Sequence, residues 1–357
     1  MFSFGRKKPA LVGVDISSTA IKLIELSQAT GGATALFRVE HYALEPVPVN
    51  AVVEKKLADV QAVGESIRKA VQRSGTKSKN AAVAVSGSAV ITKVISMAAD
   101  LSDAEMETQI QLEADQYIPY PWEEVNIDFD ILGPSSGGGE MVDVLLAASR
   151  RENVDDRVAA LEIGGLTASV VDVEAYAMES ACSLIAGNGA GESGEQTVAI
   201  ADIGATTTTL HVLHNGQTSY TREQNFGSLQ LIEEVQRRYG MARDQALQKV
   251  IDGGLPENYG SDVLGPFKEA LAQQISRALQ FFYSGSSYNR VDRVILAGGA
   301  ASIRSIDELV EERLGISTSV ANPFAHMSMS PKVHASSLNR DAPAMMIAVG
   351  LALRGFE

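Results

Sequence analysis

The sequence contains one cysteine, Cys182, among 357 residues. This count excludes an intramolecular disulfide and a thiolate metal cluster. Cys182 falls within a helical apolar pattern, where we expect it to be buried as a small hydrophobic residue in a reducing cytoplasm. No apolar run approaches the roughly 18 residues needed to cross a bilayer, so no integral membrane protein is predicted. The P-loop pattern G-x-x-x-x-G-K-[ST] is also absent, which excludes that route to nucleotide binding.

Positive charge is scarce as well, because 30 Lys and Arg face 44 Asp and Glu, which gives a net charge of −14 at pH 7. An acidic surface repels phosphate backbones, and the sequence has no segregated basic patch, so we expect no nucleic acid partner. Arg6, Lys7 and Lys8 do cluster near the N-terminus. We interpret residues 1–9 as a solvated tail, with weak contact to anionic lipid as the alternative.

The sequence carries one design in two copies. Leu11–Thr19 and Val198–Thr206 are apolar strands that lead Asp-Ile-x-x-Thr into a turn of small residues, and a second strand follows each of them. Backbone N–H groups in such turns form anion-binding nests, and small side chains let a phosphate approach the main chain. An aspartate behind the turn can hold a hydrated magnesium ion. Two such hairpins facing each other predict a clamp for a polyphosphate.

The length of the chain and the spacing of the two copies predict two lobes. The expected divisions are a first lobe at 1–187 (1A) with an inserted subdomain (1C) at about 88–148, and a second lobe at 188–357 (2A) with an insertion (2B) at about 223–290. Glycine-rich Gly187–Gly194 is the predicted boundary. Two helices rich in small residues, Glu174–Ala186 and Ala342–Leu353, are expected to cross closely at the hinge between the lobes.

Local patterns predict individual elements. A helix from about Ala58 to Ser74 is expected to end at Gly75, and Ala168–Val173 is expected to be a buried strand. Ser102 and Glu105 form a capping box that opens a helix through Tyr117. In the second lobe, Ile303–Leu314 is predicted to be helical. His211 and His214 are expected on opposite faces of one strand, which argues against a metal site.

The order of these motifs resembles the actin, Hsp70 and sugar kinase superfamily: strand-Asp hairpin, small helix, strand-Asp hairpin, strand-Gly-Gly-helix and closing small helix. The insertion after the first-lobe sheet is similar to that of the division protein FtsA. Three segments closely resemble the PilM family of type IV pilus assembly proteins, namely Val12–Leu23, Glu113–Pro121 and Val171–Ala177. The resemblance spans nearly the whole chain. It implies an α/β, two-lobed actin-like ATPase fold with an FtsA-like inserted subdomain in the first lobe.

The resemblance also implies ATP and Mg²⁺ as cofactors in the cleft between the lobes. Asp15 and Asp202 would hold magnesium through water, and Glu174 is the candidate for orienting an attacking water. The implied nucleotide contacts are Ser17, Ser18, Thr19 and Lys22 in the first hairpin, Gly204, Ala205, Thr206 and Thr207 in the second, and Gly227, Gly298, Gly299, Ala300, Ser302 and Ile303 around the α-phosphate, ribose and base.

Plainer interpretations exist for several of these residues. A strand-end aspartate commonly caps its own turn, although the occurrence of two aspartates in matching hairpins favours the shared metal role. Lys22 could be a solvated strand residue. For Glu174, an ordinary acid at a helix N-terminus is the favoured interpretation.

A docking surface is the second candidate site. Tyr117, Pro119, Tyr120 and Pro121 form either a helix stop with aromatic anchors or a surface beside the inserted subdomain that binds a partner. The resemblance implies that this partner is the N-terminal cytoplasmic peptide of PilN, bound in a groove between the first lobe and the inserted subdomain. Other inner-membrane and motor components of the pilus machine and possible self-association are also implied. Membrane association would then be indirect, at the cytoplasmic face of the inner membrane.

The expected function is an ATP-binding scaffold with at most slow hydrolysis, and two alternatives stay open. An active actin-like ATPase or sugar kinase would need a general base in a substrate cleft. An FtsA-like filament former tethered to a membrane would carry an amphipathic helix after the closing motif, where this sequence has only Arg354–Glu357.

Overall fold

The structure is a computed structural model that describes residues 10–29, 36–135, 140–186 and 196–357. The tail at 1–9, part of the glycine-rich segment at 133–139 and the predicted lobe boundary at 187–194 lie outside these ranges. Within the described ranges, no helix combines the length and the apolar character needed to span a membrane.

The strands in chain order are β1 (Leu11–Ile16), β2 (Ala20–Gln28), β3 (Phe37–Pro46), β4 (Val52–Val53), β5 (Lys56–Leu57), β6 (Asn80–Val85), β7 (Val90–Ala98), β8 (Val125–Pro134), β9 (Met141–Arg150), β10 (Thr167–Val173), β11 (Thr197–Ile203), β12 (Thr208–His214), β13 (Gln217–Gln224), β14 (Arg293–Ala297), β15 (Thr318–Val320) and β16 (Ser328–Met329). The helices are α1 (Val60–Ser74), α2 (Asp103–Glu113), α3 (Arg151–Ile163), α4 (Glu174–Ala186), α5 (Leu229–Tyr239), α6 (Arg243–Asp252), α7 (Gly265–Gly285), α8 (Ile306–Leu314), α9 (Ala335–Asp341) and α10 (Met346–Leu353).

The first sheet has six strands in the order β10-β6-β1-β2-β3-β16. Its central strand, β1, is antiparallel to β2 and parallel to β6. All six residues of β1 are buried, because α1 and α3 cover one face of the sheet while α4 and α10 cover the other. The prediction of a buried strand at 168–173 is wrong in one respect, since β10 is an edge strand whose residues are half-buried or exposed.

The second sheet repeats this local arrangement in the order β13-β12-β11-β14-β15. Its central strand, β11, is antiparallel to β12 and parallel to β14, as β1 is to β2 and β6. Helices α5 and α7 bury apolar side chains against this sheet. The two sheets therefore place the ends of β1 and β11 in equivalent positions.

A three-stranded antiparallel sheet, β7-β9-β8, follows a 3₁₀ turn at Gly87–Ala89 and forms a separate unit with α2. Its own small core includes Met97, Met106 and Val144. The predicted cap is present, since the Ser102 amide donates a hydrogen bond to the Glu105 carboxylate at 2.8 Å. Helix α2 is shorter than predicted and continues beyond Glu113 only as a 3₁₀ turn.

The close crossing of the two small-residue helices is confirmed. A Cβ atom at Gly350 of α10 would lie 1.7 Å from the carbonyl oxygen of Ala177 in α4. On the other side, a Cβ at Gly13 of β1 would lie 2.0 Å from the carbonyl oxygen of Ala348. Helix α10 is therefore in backbone contact with both neighbours. The predicted helices at 342–353 and 303–314 both start later than expected, since 3₁₀ turns at 342–345 and 299–302 precede α10 and α8.

Candidate functional site

The two Asp-Ile-x-x-Thr turns close in the same way. The Ser17 N–H donates to the Ala20 carbonyl at 3.0 Å, and the Gly204 N–H donates to the Thr207 carbonyl at 2.9 Å. Within the described part of the chain, the amides at the middle of each turn donate to no protein acceptor: Ser18, Thr19, Ala205 and Thr206. Each turn thus presents free N–H groups, the arrangement that binds anions.

The two hairpins differ at the residue opposite the aspartate. Asp15 pairs across β1 and β2 with Lys22, whereas Asp202 at the matching position pairs across β11 and β12 with Thr209. The Lys22 ammonium lies 2.7 Å from Oδ2 of Asp15, and its side chain is 14% exposed. The interpretation of Lys22 as a solvated strand residue is therefore wrong. Only the first hairpin supplies a cation to its own carboxylate.

Charges of the two hairpins act on one another. Burial by itself would lower the pKa of the Lys22 ammonium, but the carboxylates of Asp15 and Asp202 outweigh it and the pKa is raised. Burial raises the pKa of Asp202, with Lys22 and Lys55 opposing that shift and Asp15 adding to it. Such mutual influence means that the Asp15–Lys22 pair and Asp202 lie near one another, and we refer to the space between the ends of β1 and β11 as the crevice.

Two predicted glycines pack directly on the second turn. Gly298 has φ +85°, and a Cβ there would lie 2.3 Å from the Ile203 carbonyl oxygen and 2.6 Å from Oδ1 of Asp202. A Cβ at Gly227 would lie 2.3 Å from the Ala205 carbonyl oxygen. Both positions therefore exclude any side chain, so the backbone can approach the turn closely.

The other predicted residues of this segment lie further along. Gly299, Ala300 and Ser302 form the 3₁₀ turn after β14, and Ile303 follows it. Open space surrounds the position of a Cβ at Gly299, whereas Ala300 is buried. The Ser302 hydroxyl donates to the Arg340 carbonyl at 3.2 Å, so this end of the segment is already bonded to the protein.

Glu174 begins α4, and its carboxylate is held by a lysine that the sequence analysis missed. Lys55 Nζ lies 2.7 Å from Oε2 of Glu174 and 2.9 Å from Oε1 of Glu223 on β13. The Glu174 side chain is 12% exposed, so it is not an ordinary solvated acid at a helix N-terminus. Burial raises the pKa of Glu174, Lys55 counteracts this, and the nearby aspartates add to the rise.

Lys55 links Glu174, which directly follows β10 of the first sheet, with Glu223 on β13 of the second sheet. Burial by itself would lower the pKa of Lys55, but Glu174 and Glu223 more than compensate, and the pKa is raised. The Ser86 hydroxyl, at the end of β6, also donates to Oε1 of Glu223 at 3.2 Å. In the sequence, Glu54-Lys55-Lys56 is typical of a solvated loop, and nothing local to these three residues indicates otherwise.

The two histidines of β12 have different environments, as the strand period predicts. His211 is buried, and burial lowers its pKa to about 3. His214 is the last, half-buried residue of the strand, and the centre of its ring lies 4.5 Å from the centre of the Tyr288 ring. Within the described residues, no group of three or more His, Cys, Asp and Glu side chains is arranged to hold a metal ion.

A groove separates the first sheet from the β7-β9-β8 unit, and it contains a cavity of about 200 Å³. The β4–β5 turn, Ser86, Ser88, Ile91, Tyr120 and Arg150 contribute to its lining. The Arg150 guanidinium lies 5.5 Å from the centre of the Tyr120 ring. Tyr120 is 39% exposed. This groove therefore offers an exposed aromatic surface within a mostly polar wall.

The structure separates the four predicted docking residues. Tyr120 lines the groove, but Tyr117 packs within the β7-β9-β8 unit, where its hydroxyl donates to Glu113 at 2.7 Å. Pro119 and Pro121 are exposed in the connecting segment. Of the four predicted docking residues, only Tyr120 lines the groove.

Comparison with known proteins places this geometry in a family. Residues 13–356 match the family model described as type IV pilus assembly protein PilM. A solved structure of a PilM-PilN type IV pilus biogenesis complex is 27% identical, with a TM-score of 0.78, and the match covers 98% of this chain and 99% of that chain.

Two more distant structures share the fold. The ethanolamine utilization protein EutJ from Carboxydothermus hydrogenoformans is 16% identical with a TM-score of 0.57, over 97% of this chain and 89% of that one. MreB5 of Spiroplasma citri, solved with bound ADP, is 12% identical with a TM-score of 0.50, over 96% and 95%. The chain therefore has an actin-like ATPase fold and belongs to the PilM family of type IV pilus assembly proteins.

Proposed function

We propose that this chain is an ATP-binding scaffold of the type IV pilus machine, which holds Mg²⁺ and ATP between its two hairpins and binds the N-terminal cytoplasmic peptide of PilN in the groove. The observation that carries the nucleotide half is the pair of matched turns with free amides, at the ends of two strands whose charges influence one another. The observation that favours the peptide half is the similarity to a PilM-PilN complex over nearly the whole chain.

The residues present fit a polyphosphate. Amides of Ser18 and Thr19 on one wall and of Ala205 and Thr206 on the other would bind phosphate oxygens. The Lys22 ammonium adds positive charge beside the first turn. When bound, ATP would bridge the two walls, and a nucleotide that contacts both can favour one angle between the halves over another.

The residues also fit a hydrated magnesium ion. Asp202 is a half-buried carboxylate with no ion-pair partner within the described residues, and desolvation raises its pKa, so a cation would stabilise its charged form. Two carboxylates are too few to hold Mg²⁺ alone, which suits an ion that keeps waters and phosphate oxygens as its other ligands. Asp15 and Asp202 would orient those waters.

The nucleoside would lie beside the segment that follows β14. Gly298 and Gly227 support this assignment because their backbones contact the second turn without side chains. Gly299, Ala300, Ser302 and Ile303 continue the same wall. We propose that Gly298 and Gly299 pass the α-phosphate and ribose, and that Ser302 and Ile303 lie near the base.

Hydrolysis would be slow. Glu174 is the only candidate we assign for orienting water, and its carboxylate is already bonded to Lys55 at 2.7 Å. A general base must be within reach of the water whose proton it accepts. We expect turnover below about 1 s⁻¹, the lower end of ordinary enzymes.

We further propose the division into 1A with 1C and 2A with 2B, a position at the cytoplasmic face of the inner membrane through PilN, and contacts with other pilus components. For the alternative of a membrane-tethered filament former, the net charge of −14 gives no electrostatic help at an anionic lipid surface.

The test is isothermal titration calorimetry with ATP plus MgCl₂ and, separately, with a synthetic N-terminal PilN peptide. Tyr120→Ala should weaken peptide binding at least fivefold without lowering the melting temperature, because Tyr120 is partly exposed. Tyr117→Phe is the matched control, since it alters an aromatic residue of the same segment outside the groove. Peptide affinity that survives Tyr120→Ala, or no binding of ATP, would contradict the corresponding half of the proposal.

A further inference from the structure

The β4–β5 turn has an unusual backbone. Val53 pairs with Lys56, and the two residues between them, Glu54 and Lys55, have φ of +48° and +62°. Two consecutive positive φ values in a two-residue hairpin loop are the pattern of a type I′ turn, which normally uses Asn and Gly. Neither Glu nor Lys favours this conformation, so the surrounding structure must hold the turn in place.

Arg157 of α3 provides that support. Its guanidinium is buried and donates to the Lys55 carbonyl at 3.0 Å and to the Ala84 carbonyl at 2.7 Å. The guanidinium thus ties the turn to the end of β6. Backbone strain that is retained in this way is common at functional positions.

The side chain of Lys55 joins parts of the molecule that are distant in sequence. Its ammonium bonds Glu174, at the start of α4 beside the first sheet, and Glu223, on an edge strand of the second sheet. All three side chains are less than a quarter exposed. A shared, half-buried cation of this kind requires β13 to lie close to the β4–β5 turn, because separation would leave the Glu223 carboxylate without its ion-pair partner.

Lys55 also belongs to both candidate sites. Glu54, Lys55, Lys56 and Ser86 line the groove, and Ser86 bonds the same Glu223 oxygen as Lys55 does. On the crevice side, the charge of Lys55 acts on Asp202 at the end of β11. Lys55 therefore lines the groove and also acts electrostatically on Asp202 at the crevice.

We propose that Lys55, with Glu174 and Glu223, forms a latch between the two halves through which peptide in the groove and nucleotide in the crevice favour each other's binding. This proposal rests on the proposed function. A peptide seated in the groove packs on the β4–β5 turn and favours the arrangement in which Lys55 reaches Glu223. A nucleotide that contacts both hairpins favours the same approach of the halves, so the two ligands are positively coupled.

The experiment measures both affinities by calorimetry, each with and without the other ligand at saturation, using ATP plus MgCl₂ and the synthetic PilN peptide. In the unaltered protein, each ligand should strengthen the other at least fivefold and by the same factor. Lys55→Met should reduce that factor to about one. Glu223→Gln should do the same, and it leaves the groove lining untouched, so it still tests the latch if Lys55→Met folds poorly.

Lys56→Met is the matched control, because it removes an equal charge from the same groove wall but not from the latch, and it should keep the coupling. Lys55→Arg should restore part of it. Coupling that persists in both Lys55→Met and Glu223→Gln would overturn the latch, as would equal affinities with and without the second ligand in the unaltered protein. Absence of either ligand's binding to the unaltered protein would instead overturn the proposed function.

Discussion

Gly350 of α10 lies in backbone contact with Ala177 of α4, and a Cβ at position 350 would come within 1.7 Å of the Ala177 carbonyl oxygen. Because the obstacle is backbone, no side-chain rotation can relieve it. Gly350→Ala should therefore lower the free energy of unfolding by about 1–3 kcal/mol, the usual cost of overpacking. Urea denaturation measures this, with Gly285→Ala as control, because open space surrounds that position near the end of α7. Equal stability of the two variants would contradict the crossing.

Asp202 is the cleaner aspartate for testing the magnesium proposal. Asp15→Asn would leave the half-buried Lys22 without its partner, whereas Asp202 has no ion pair to lose within the described residues. Asp202→Asn should weaken magnesium-dependent ATP binding at least tenfold, or about 1.4 kcal/mol. Affinity measured in EDTA should change little. Since burial raises the pKa of Asp202, the neutral asparagine should not destabilise the fold. Unchanged affinity in magnesium would remove Asp202 from the site.

His211 should make the protein less stable in acid. Burial lowers its pKa to about 3 in the folded protein, against about 6.5 in the unfolded chain. The unfolded state therefore binds the extra proton first as the pH falls below about 6.5. This group should contribute a loss of about 1.4 kcal/mol per pH unit from there down to about 3, and nothing above pH 6.5.

The comparison that isolates His211 is the unaltered protein against His211→Asn, followed by urea denaturation between pH 7.5 and 5. The difference in unfolding free energy between the two should shift in favour of the variant as the pH is lowered. A constant difference would mean that His211 is protonated equally in both states.

Arg157 should be important for stability although it pairs with no carboxylate among its hydrogen-bond partners. Its guanidinium donates to three carbonyls, those of Lys55, Ala84 and Asn153. Arg157→Met should cost at least about 2 kcal/mol, since each buried carbonyl left unsatisfied costs about 1–3 kcal/mol. Arg243→Met, on an exposed face of α6, is the control and should be nearly neutral. A neutral Arg157→Met would show that the turn is held by other contacts.

Repeated and periodic features could be predicted from the sequence because local physics determines them. The matching hairpins, the end of α1 at Gly75 with φ +70° and the limits of α4 all follow from strand patterns, a C-terminal glycine and small-residue spacing. Likewise, the strand period predicts that His211 and His214 face opposite ways.

Features that depend on distant parts of the chain could not be predicted. Nothing local in Glu54-Lys55-Lys56 indicates a buried ion pair, since Glu223 is 168 positions away from Lys55. The half-exposed state of β10 follows from its place at the sheet edge, which its apolar sequence does not reveal. Tyr117 and Tyr120 are three positions apart, yet Tyr117 packs within the β7-β9-β8 unit and Tyr120 lines the groove, a difference that depends on tertiary packing.

Strand β16 comes from the C-terminal part of the chain and pairs with β3 in the first sheet, while β15 just before it belongs to the second. The polypeptide thus passes from one sheet to the other more than once. Two covalent connections restrict the relative motion of the two sheets to rotation about one axis, whereas a single connection would permit rotation in any direction. They also mean that the first half cannot be cut out as one continuous fragment, so a truncated clone that ends after α4 should lose strand β16 and the covering helix α10 together.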